Sequence, residues 1–347
     1  MAVRSPMEIL EGVLIEAEAA GQLKLTASDG NMTSISEIEA QVEEEGRIIL
    51  PGKLLSEVVR KLPGGRVSAS LKGSILTLRC GVSRTNISGR SADDYPLPSE
   101  GGFDNEISLP QPLLKEMIQQ IAFAVPLEDQ RVVLTGGFMN LLNGRLDMVG
   151  LDGFRMAVRT SQVNDVDMSA RAIIPAKALD EIARLMGDDE NEHAELLFSH
   201  SRILVKCGKT KLYASLIEGE YIDYKRVIPT TFNTVVKVER QIFSDCIDRV
   251  ALIARMSKNN LVRFDISEGL MVLSAISDVG DAREEIECET QGNDLTISFN
   301  VRYLTEFTRV TGGTELTLKF DRPISPCIIE PDGGELTYLV LPVRTNA

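Results

Sequence analysis

The stretch GRLDMVGLDGFRMAVRT, Gly144–Thr160, decides how the chain is read. Its first ten residues, GRLDMVGLDG, match GQLKLTASDG at Gly21–Gly30, and a fainter copy, GLMVLSAISD, starts at Gly269. Gly21 and Gly144 are 123 residues apart, as are Asp29 and Asp152. Gly269 lies 125 beyond Gly144, with Ser277 in the aspartate's place. A second phrase follows each copy: LPGKLLSEVVRKL, IPAKALDEIARLM and FNVRYLTEFTRV. Its basic residue, Lys53, Lys177 or Arg302, recurs at spacings of 124 and 125. Two independent phrases at nearly one spacing read as three copies of one domain, because so long a period exceeds that of a stacked solenoid unit.

Each copy follows one grammar. A strand-like run carries the first phrase (LKLTA, LDMVG, MVLSA). An alternating run, as in GRIILP and RAIIP, leads into the second. The second phrase is a short amphipathic helix, with Leu179, Ile182 and Leu185 on one face. Hairpin runs follow, such as VSASLKGSILTLRC and ELLFSHSRILVKC. This is α+β grammar, antiparallel meanders with two helices per copy. The turn-rich segments YPLPSEGG and YKRVIPTTFN set the expected domain limits at 1–101, 102–228 and 229–347. Copies two and three open with a strand and a helix, NEISLPQPLLKEMIQQIAFAV and VVKVERQIFSDCIDRVALIAR. Copy one offers only MAVRSPMEILEGVLIEA, so its expected fold lacks an opening strand and helix of roughly 20–30 residues, much of a small domain's core.

Composition narrows the function. The 347 residues are 43% hydrophobic and 25% charged, an ordinary globular balance for two or three domains. No apolar run approaches the roughly 18 residues of a membrane helix, and MAVRSPMEIL has no signal-peptide core, so cytoplasm is the expected location. Cys80, Cys207, Cys246, Cys288 and Cys327 form no CxxC pair, and five is an odd number, so buried reduced thiols are expected. His193 and His200 share one polar run and read as surface residues, so no metal site is expected. The chain has no GxxxxGK[ST], no GxGxxG after a strand, no GxSxG, and no nucleophile placed with a base. No catalytic residue and no cofactor is expected. The net charge of -14 argues against a broadly basic polyanion binder, but binding depends on local charge.

Three features then converge. GLDGFRMAV is similar to ATDGHRLAV, DYKRVIP closes copy two, and LPVR ends copy three. With the triplication they resemble the bacterial sliding clamp family, the beta subunit of DNA polymerase III, from about Arg4 to Arg344. The resemblance implies outer antiparallel sheets with inner helices, and two chains closing head to tail into a homodimeric ring around duplex DNA. It implies a non-enzymatic processivity factor. Its partners would be sequence-nonspecific double-stranded DNA, the DNA polymerase III catalytic subunit, the clamp loader, and other clamp-binding polymerases and repair proteins. The helical stretches expected to face DNA carry Lys53, Arg60, Lys61, Lys115, Lys177 and Arg184, then Arg240, Arg249, Arg302 and Arg309. Five such stretches sum to about +4 and the rest of the chain to about -18, an acidic rim around a mildly basic bore.

The resemblance also implies a pocket for a partner's hydrophobic peptide. Its matching wall is Leu134, Leu151, Gly153, Arg155 and Met156, with Ile222, Arg226 and Val227. The terminal segment supplies Leu339, Val340, Leu341, Pro342, Val343 and Arg344. Apolar side chains would reward aliphatic or aromatic anchors, and arginines at the edge would hold a carboxylate or carbonyl. Ile222 stands where the family usually has proline, Leu151 where it often has threonine, and Thr85 where some members place an interface aromatic. Asp152 recurs as Asp29 and reads as a turn cap. Arg155 and Met156 do not recur, their equivalents being Met32 and Thr33, so site and scaffold part company after Gly153. The expectation is that Met156→Asp with deletion of residues 341–347 abolishes peptide binding and leaves the fold intact. The rival readings are a three-domain α+β enzyme on a small anionic substrate and a clamp-like chain unable to close a ring.

Overall fold

The phrase opening each copy makes a hairpin turn for a local reason. In the computed structural model, which describes residues 7–163 and 169–344, Gly21, Gly144 and Gly269 have φ of +79°, +73° and +73°. Only glycine adopts that conformation without cost, so all three copies keep it. The next turn is closed by a side chain. Asp29 Oδ1 accepts the N–H groups of Asn31 (3.0 Å) and Met32 (2.8 Å), and Asp152 Oδ1 accepts those of Phe154 (2.9 Å) and Arg155 (3.1 Å). In copy three the cap is Ser277 Oγ, which accepts the Val279 N–H at 3.3 Å.

Copy one runs β1 (Gly12–Glu18), β2 (Gln22–Ser28), β3 (Met32–Glu39), β4 (Gly46–Pro51), α1 (Gly52–Arg60), β5 (Val67–Lys72), β6 (Ile75–Cys80) and β7 (Ser83–Ser88). Copy two runs β8 (Asn105–Pro110), α2 (Gln111–Ala122), β9 (Gly136–Leu142), β10 (Arg145–Leu151), β11 (Arg155–Gln162), β12 (Ala170–Pro175), α3 (Ala176–Leu185), β13 (His193–Phe198), β14 (Arg202–Cys207) and β15 (Thr210–Ser215). Copy three runs β16 (Thr234–Glu239), α4 (Arg240–Ala254), β17 (Leu261–Ser267), β18 (Leu270–Ser277), β19 (Gly280–Glu287), β20 (Glu289–Gly292), β21 (Leu295–Asn300), α5 (Val301–Thr308), β22 (Glu315–Phe320), β23 (Cys327–Pro331) and β24 (Leu336–Val340). The expected α+β grammar is present, with antiparallel sheets and few helices. Among the described residues, copy one has no counterpart of β8–α2 or β16–α4.

The chain gathers into two compact units, residues 1–111 with 185–216, and 112–184 with 217–347. Copy two contributes to both. The first unit holds an eight-stranded sheet, β4-β1-β2-β3-β15-β14-β13-β8, and a three-stranded sheet, β5-β6-β7. The second holds a nine-stranded sheet, β12-β9-β10-β11-β24-β23-β22-β16-β20, and a four-stranded sheet, β19-β18-β17-β21. Each large sheet contains one joint between copies. The strand that follows the capped turn of a copy pairs antiparallel with the last strand of another, β3 with β15 and β11 with β24.

The second unit is filled from copy three by Phe243, Phe264, Phe299 and Phe320, whose successive ring centroids lie 6.2, 5.3 and 6.5 Å apart. Leu179 and Ile182 of α3 are buried, as their spacing predicts. All five cysteines are free. Cys80, Cys246 and Cys327 are buried, but Cys207 and Cys288 are half-buried at strand ends. Both histidines are exposed. Among the described residues, no helix is long and apolar enough to cross a membrane.

Close packing of α2 on β10 depends on a missing side chain. A Cβ at Gly150 would meet the Ile121 carbonyl oxygen at 2.2 Å, a backbone atom that cannot rotate away. Gly150→Ala is expected to lower stability by about 1–3 kcal/mol through overpacking, read as a shifted denaturant midpoint with unchanged slope.

Candidate functional site

Strand β11 carries the residues that set copy two apart, and its partner is the end of the chain. Arg155 lies opposite Val340, Met156 opposite Leu339 and Ala157 opposite Tyr338. The tail leaves β24 under backbone control: the Leu341 N–H donates to Phe154 O and the Val343 N–H to Ser298 O, both at 2.8 Å. One apolar cluster beneath gathers Leu134, Leu151, Met156, Tyr224 and Leu339, with Ile222 and Leu341 half-buried against it. The predicted wall therefore has two layers. Leu134, Leu151, Met156, Leu339 and Val340 form a buried floor. Ile222, Leu341, Pro342 and Val343 are half-buried, and Gly153, Arg226, Val227 and Arg344 are exposed at the rim.

Two expectations need correction. Arg155 is not an edge arginine awaiting a peptide; it is 6% exposed. Its Nε donates to Asp152 Oδ2 at 2.9 Å, one Nη to Glu306 Oε2, and the other to Phe123 O at 2.6 Å. The guanidinium also lies over the rings of Phe123 and Tyr303, at 5.3 and 4.7 Å from their centroids. A buried cation must be paired and hydrogen-bonded, and this one is. Met156 is fully buried, so Met156→Asp would place an unpaired charge in the core and would not leave the fold intact.

Sequence reasoning passed over Phe154. It is 59% exposed and stacks on Tyr303 at 6.3 Å, beside the tail. The available signal was a large aromatic at a turn position that copy one fills with Asn31. It also passed over Glu306 and the anchor of the linker wall. Tyr224 sits in a 3-10 turn, Tyr224–Arg226, and its hydroxyl donates to buried Asp147 at 2.7 Å. Tyr221 stacks on Phe138 at 4.8 Å, which fixes Ile222 between the two tyrosines.

Comparison with known proteins shows the family of the chain. The family models described as the N-terminal, central and C-terminal domains of the DNA polymerase III beta subunit match residues 1–99, 108–223 and 225–344. A curated Staphylococcus aureus protein named Beta sliding clamp is 32% identical over 354 residues, covering 99% of this chain and 93% of its own. The chain belongs to the DNA polymerase III beta subunit family, the sliding clamps. A putative beta subunit from Eubacterium rectale superposes with a TM-score of 0.92 at 31% identity, covering 99% of this chain and 94% of that one. The Bacillus subtilis sliding clamp gives 0.91 at 30% identity, with 99% and 93% covered. Membership makes this clamp a processivity factor rather than a catalyst, with DNA and a polymerase as its partners.

The clamp's helical cations divide into free and engaged groups. Lys53 and Arg60 on α1, with Lys61 after it, are exposed and have no side-chain partner among the described residues. Lys177 and Arg309 are likewise exposed, whereas Lys115 is half-buried and is not one of the free group. The rest are engaged. Arg184 pairs with Glu181 at 2.7 Å, Arg302 with Glu306 at 2.7 Å, and Arg240 donates to Gly313 O at 2.7 Å. Arg249 makes two bonds to Glu284, at 3.0 and 2.7 Å, so its charge is already answered on β19. Of these helical cations, the free ones cluster most densely on and just after α1.

Asp147 and Glu306 tie the site to pH. Burial raises each carboxyl, but donors outweigh it: Tyr224, Thr160 and Arg145 at Asp147, and Arg302 and Arg155 at Glu306. Both end below the usual carboxylate range. A depressed folded value gives stability that is present above the unfolded value and lost as pH falls through the folded one. Glu306→Gln is expected to be less stable at neutral pH and to lose stability less steeply below about pH 5. Urea midpoints measured across pH would show it; an unchanged acid limb would contradict the assignment.

Proposed function

We propose that two copies of this clamp close head to tail through β7 and β19, and that partners dock a hydrophobic peptide beside β11. The observation that carries the ring is the repeated joint. Each copy has a strand that follows the capped turn (β3, β11, β19) and a last strand (β7, β15, β24). β3 takes β15 and β11 takes β24 within the chain. β19 and β7 are left as sheet edges. An open edge is a template for another strand, and a second copy offers the complement of both.

The internal joints also supply a register. Met32 lies opposite Ala214 and Arg155 opposite Val340. Carried to the third joint, that register sets Gly280 against Ile87, Ala282 against Thr85, and Glu284 against Ser83. Arg84 then faces Arg283 directly, a like-charge pair, with Asp281 and Glu285 as diagonal neighbours to offset it and Arg283 already bonded to Glu285 at 2.8 Å. Small Ala282 facing Thr85 explains why no aromatic is required at Thr85. Opposed residues in an antiparallel pair have Cα atoms about 4.5–5.5 Å apart, within disulfide reach. Thr85→Cys with Ala282→Cys is expected to give a covalent dimer on a non-reducing gel, and Thr85→Cys with Arg283→Cys none. A wild-type chain that sediments as a monomer at micromolar concentration, or equal cross-linking by both pairs, would sink the proposal.

The ring would hold DNA by topology and attract it weakly through the free cations of α1, without base contacts that would pin it. The peptide site would admit the catalytic subunit of the polymerase, the clamp loader and repair polymerases in turn. Its support is an apolar floor with an adaptable rim and exposed Phe154 beside it. Replacing Lys53, Arg60 and Lys61 with alanine is expected to lower the magnitude of the slope of log K against log salt by about 0.9 for each phosphate contact removed. An unchanged slope would move the DNA-facing surface elsewhere.

A further inference from the structure

We propose that Glu306 is a positioning residue that couples the DNA-facing helix α5 to the peptide-binding wall. Its two oxygens are divided between two arginines. Oε1 accepts Arg302 Nε at 2.7 Å, and Oε2 accepts an Nη of Arg155. The Arg302 side chain is 70% exposed, Glu306 23% and Arg155 7%. One carboxylate thus joins a solvent-facing cation on the helix to a buried cation under β11.

The connection continues to the surface of the wall. Arg155 Nε holds Asp152 Oδ2, and Asp152 Oδ1 caps the turn through the N–H groups of Phe154 and Arg155. Phe154 O holds the Leu341 N–H, the first residue of the tail. The Arg155 guanidinium has little room to shift, lying over two rings with its third contact on Phe123 O. The links through Glu306, Arg155 and Asp152 are charge-assisted, the stronger kind of hydrogen bond, and the last, from the Leu341 N–H to Phe154 O, is main-chain.

A phosphate that draws Arg302 into solution leaves the Glu306 charge answered by Arg155 alone. A partly buried carboxylate cannot fully replace that partner with water, so the Arg155–Glu306 pair tightens. Arg155 then holds Asp152 and its turn more firmly. A wall that is already ordered loses less conformational entropy when a peptide binds, so DNA and peptide favour each other. The coupling is reciprocal. It rests on the reading of β11 and the tail as the peptide site and of Arg302 as DNA-facing.

The test uses the full chain and a fluorescein-labelled pentapeptide with leucine and phenylalanine anchors. The peptide is titrated at low salt with and without a saturating short DNA duplex. The duplex is expected to tighten peptide binding at least about fivefold, the low end of usual allosteric coupling. Glu306→Gln should erase the difference. Arg302→Ala without DNA should bind peptide as tightly as the wild type does with DNA, and respond no further. A wild-type affinity indifferent to DNA, or a response that survives in Glu306→Gln, overturns the coupling and leaves the peptide site standing. So does a uniform loss of affinity in Glu306→Gln with and without DNA, which would mark a structural role. No peptide binding in any form overturns both readings.

Discussion

Strand β11 presents an edge of N–H and C=O groups that copy two cannot satisfy from its own strands, and β24 of copy three satisfies it. Most of what distinguishes this chain follows from that joint. An unpaired buried backbone group costs about as much as a lost hydrogen bond, so a run of them requires a partner strand. The same requirement is met between copies one and two by β3 and β15. A chain with three such domains makes two of these joints internally and leaves the members of the third, β7 and β19, at sheet edges, which is why a second copy is the natural complement. The joint also places the chain's C-terminal tail beside the strand that carries copy two's distinctive residues. The proposed docking wall is thus a by-product of sheet continuity.

Arg155 shows what was done with that juxtaposition. Burying a guanidinium is expensive unless every contact is provided, and here Asp152, Glu306 and Phe123 O provide them, with the faces of two aromatic rings against it. Copy one has Met32 at the equivalent position and needs no such arrangement. The buried pair therefore marks specialisation of the second copy. It ties β11 to α5, so the turn that presents Phe154 and the helix that presents Arg302 share one carboxylate.

Much of this was legible in the chain itself. Repeated glycines and aspartates at fixed spacing announced three copies because each turn needs a positive φ and a cap, both local requirements. The amphipathic spacing in α3 and the alternation of the strands were equally local. Four residues of the expected wall, Leu134, Leu151, Met156 and Leu339, share one apolar cluster. Their depth was misread. Apolar residues on a wall and apolar residues beneath it have the same composition, so Met156 was assigned to the surface and Arg155 to the edge. Arg249 was assigned to DNA for a similar reason, since its partner Glu284 is distant in sequence and reaches it only across α4 and β19.

The sequence by itself determined the triplication, the turns, the strand and helix order and the family, because each rests on short-range backbone chemistry or on repeated phrases. The tertiary structure alone decided which cations remain free, which pocket residues are floor and which are rim, and which strand edges find a partner. Those outcomes depend on burial and on pairs remote in the chain. Arg155 and Glu306 lie 151 residues apart, and only the packing of β11 against copy three brings their charges together.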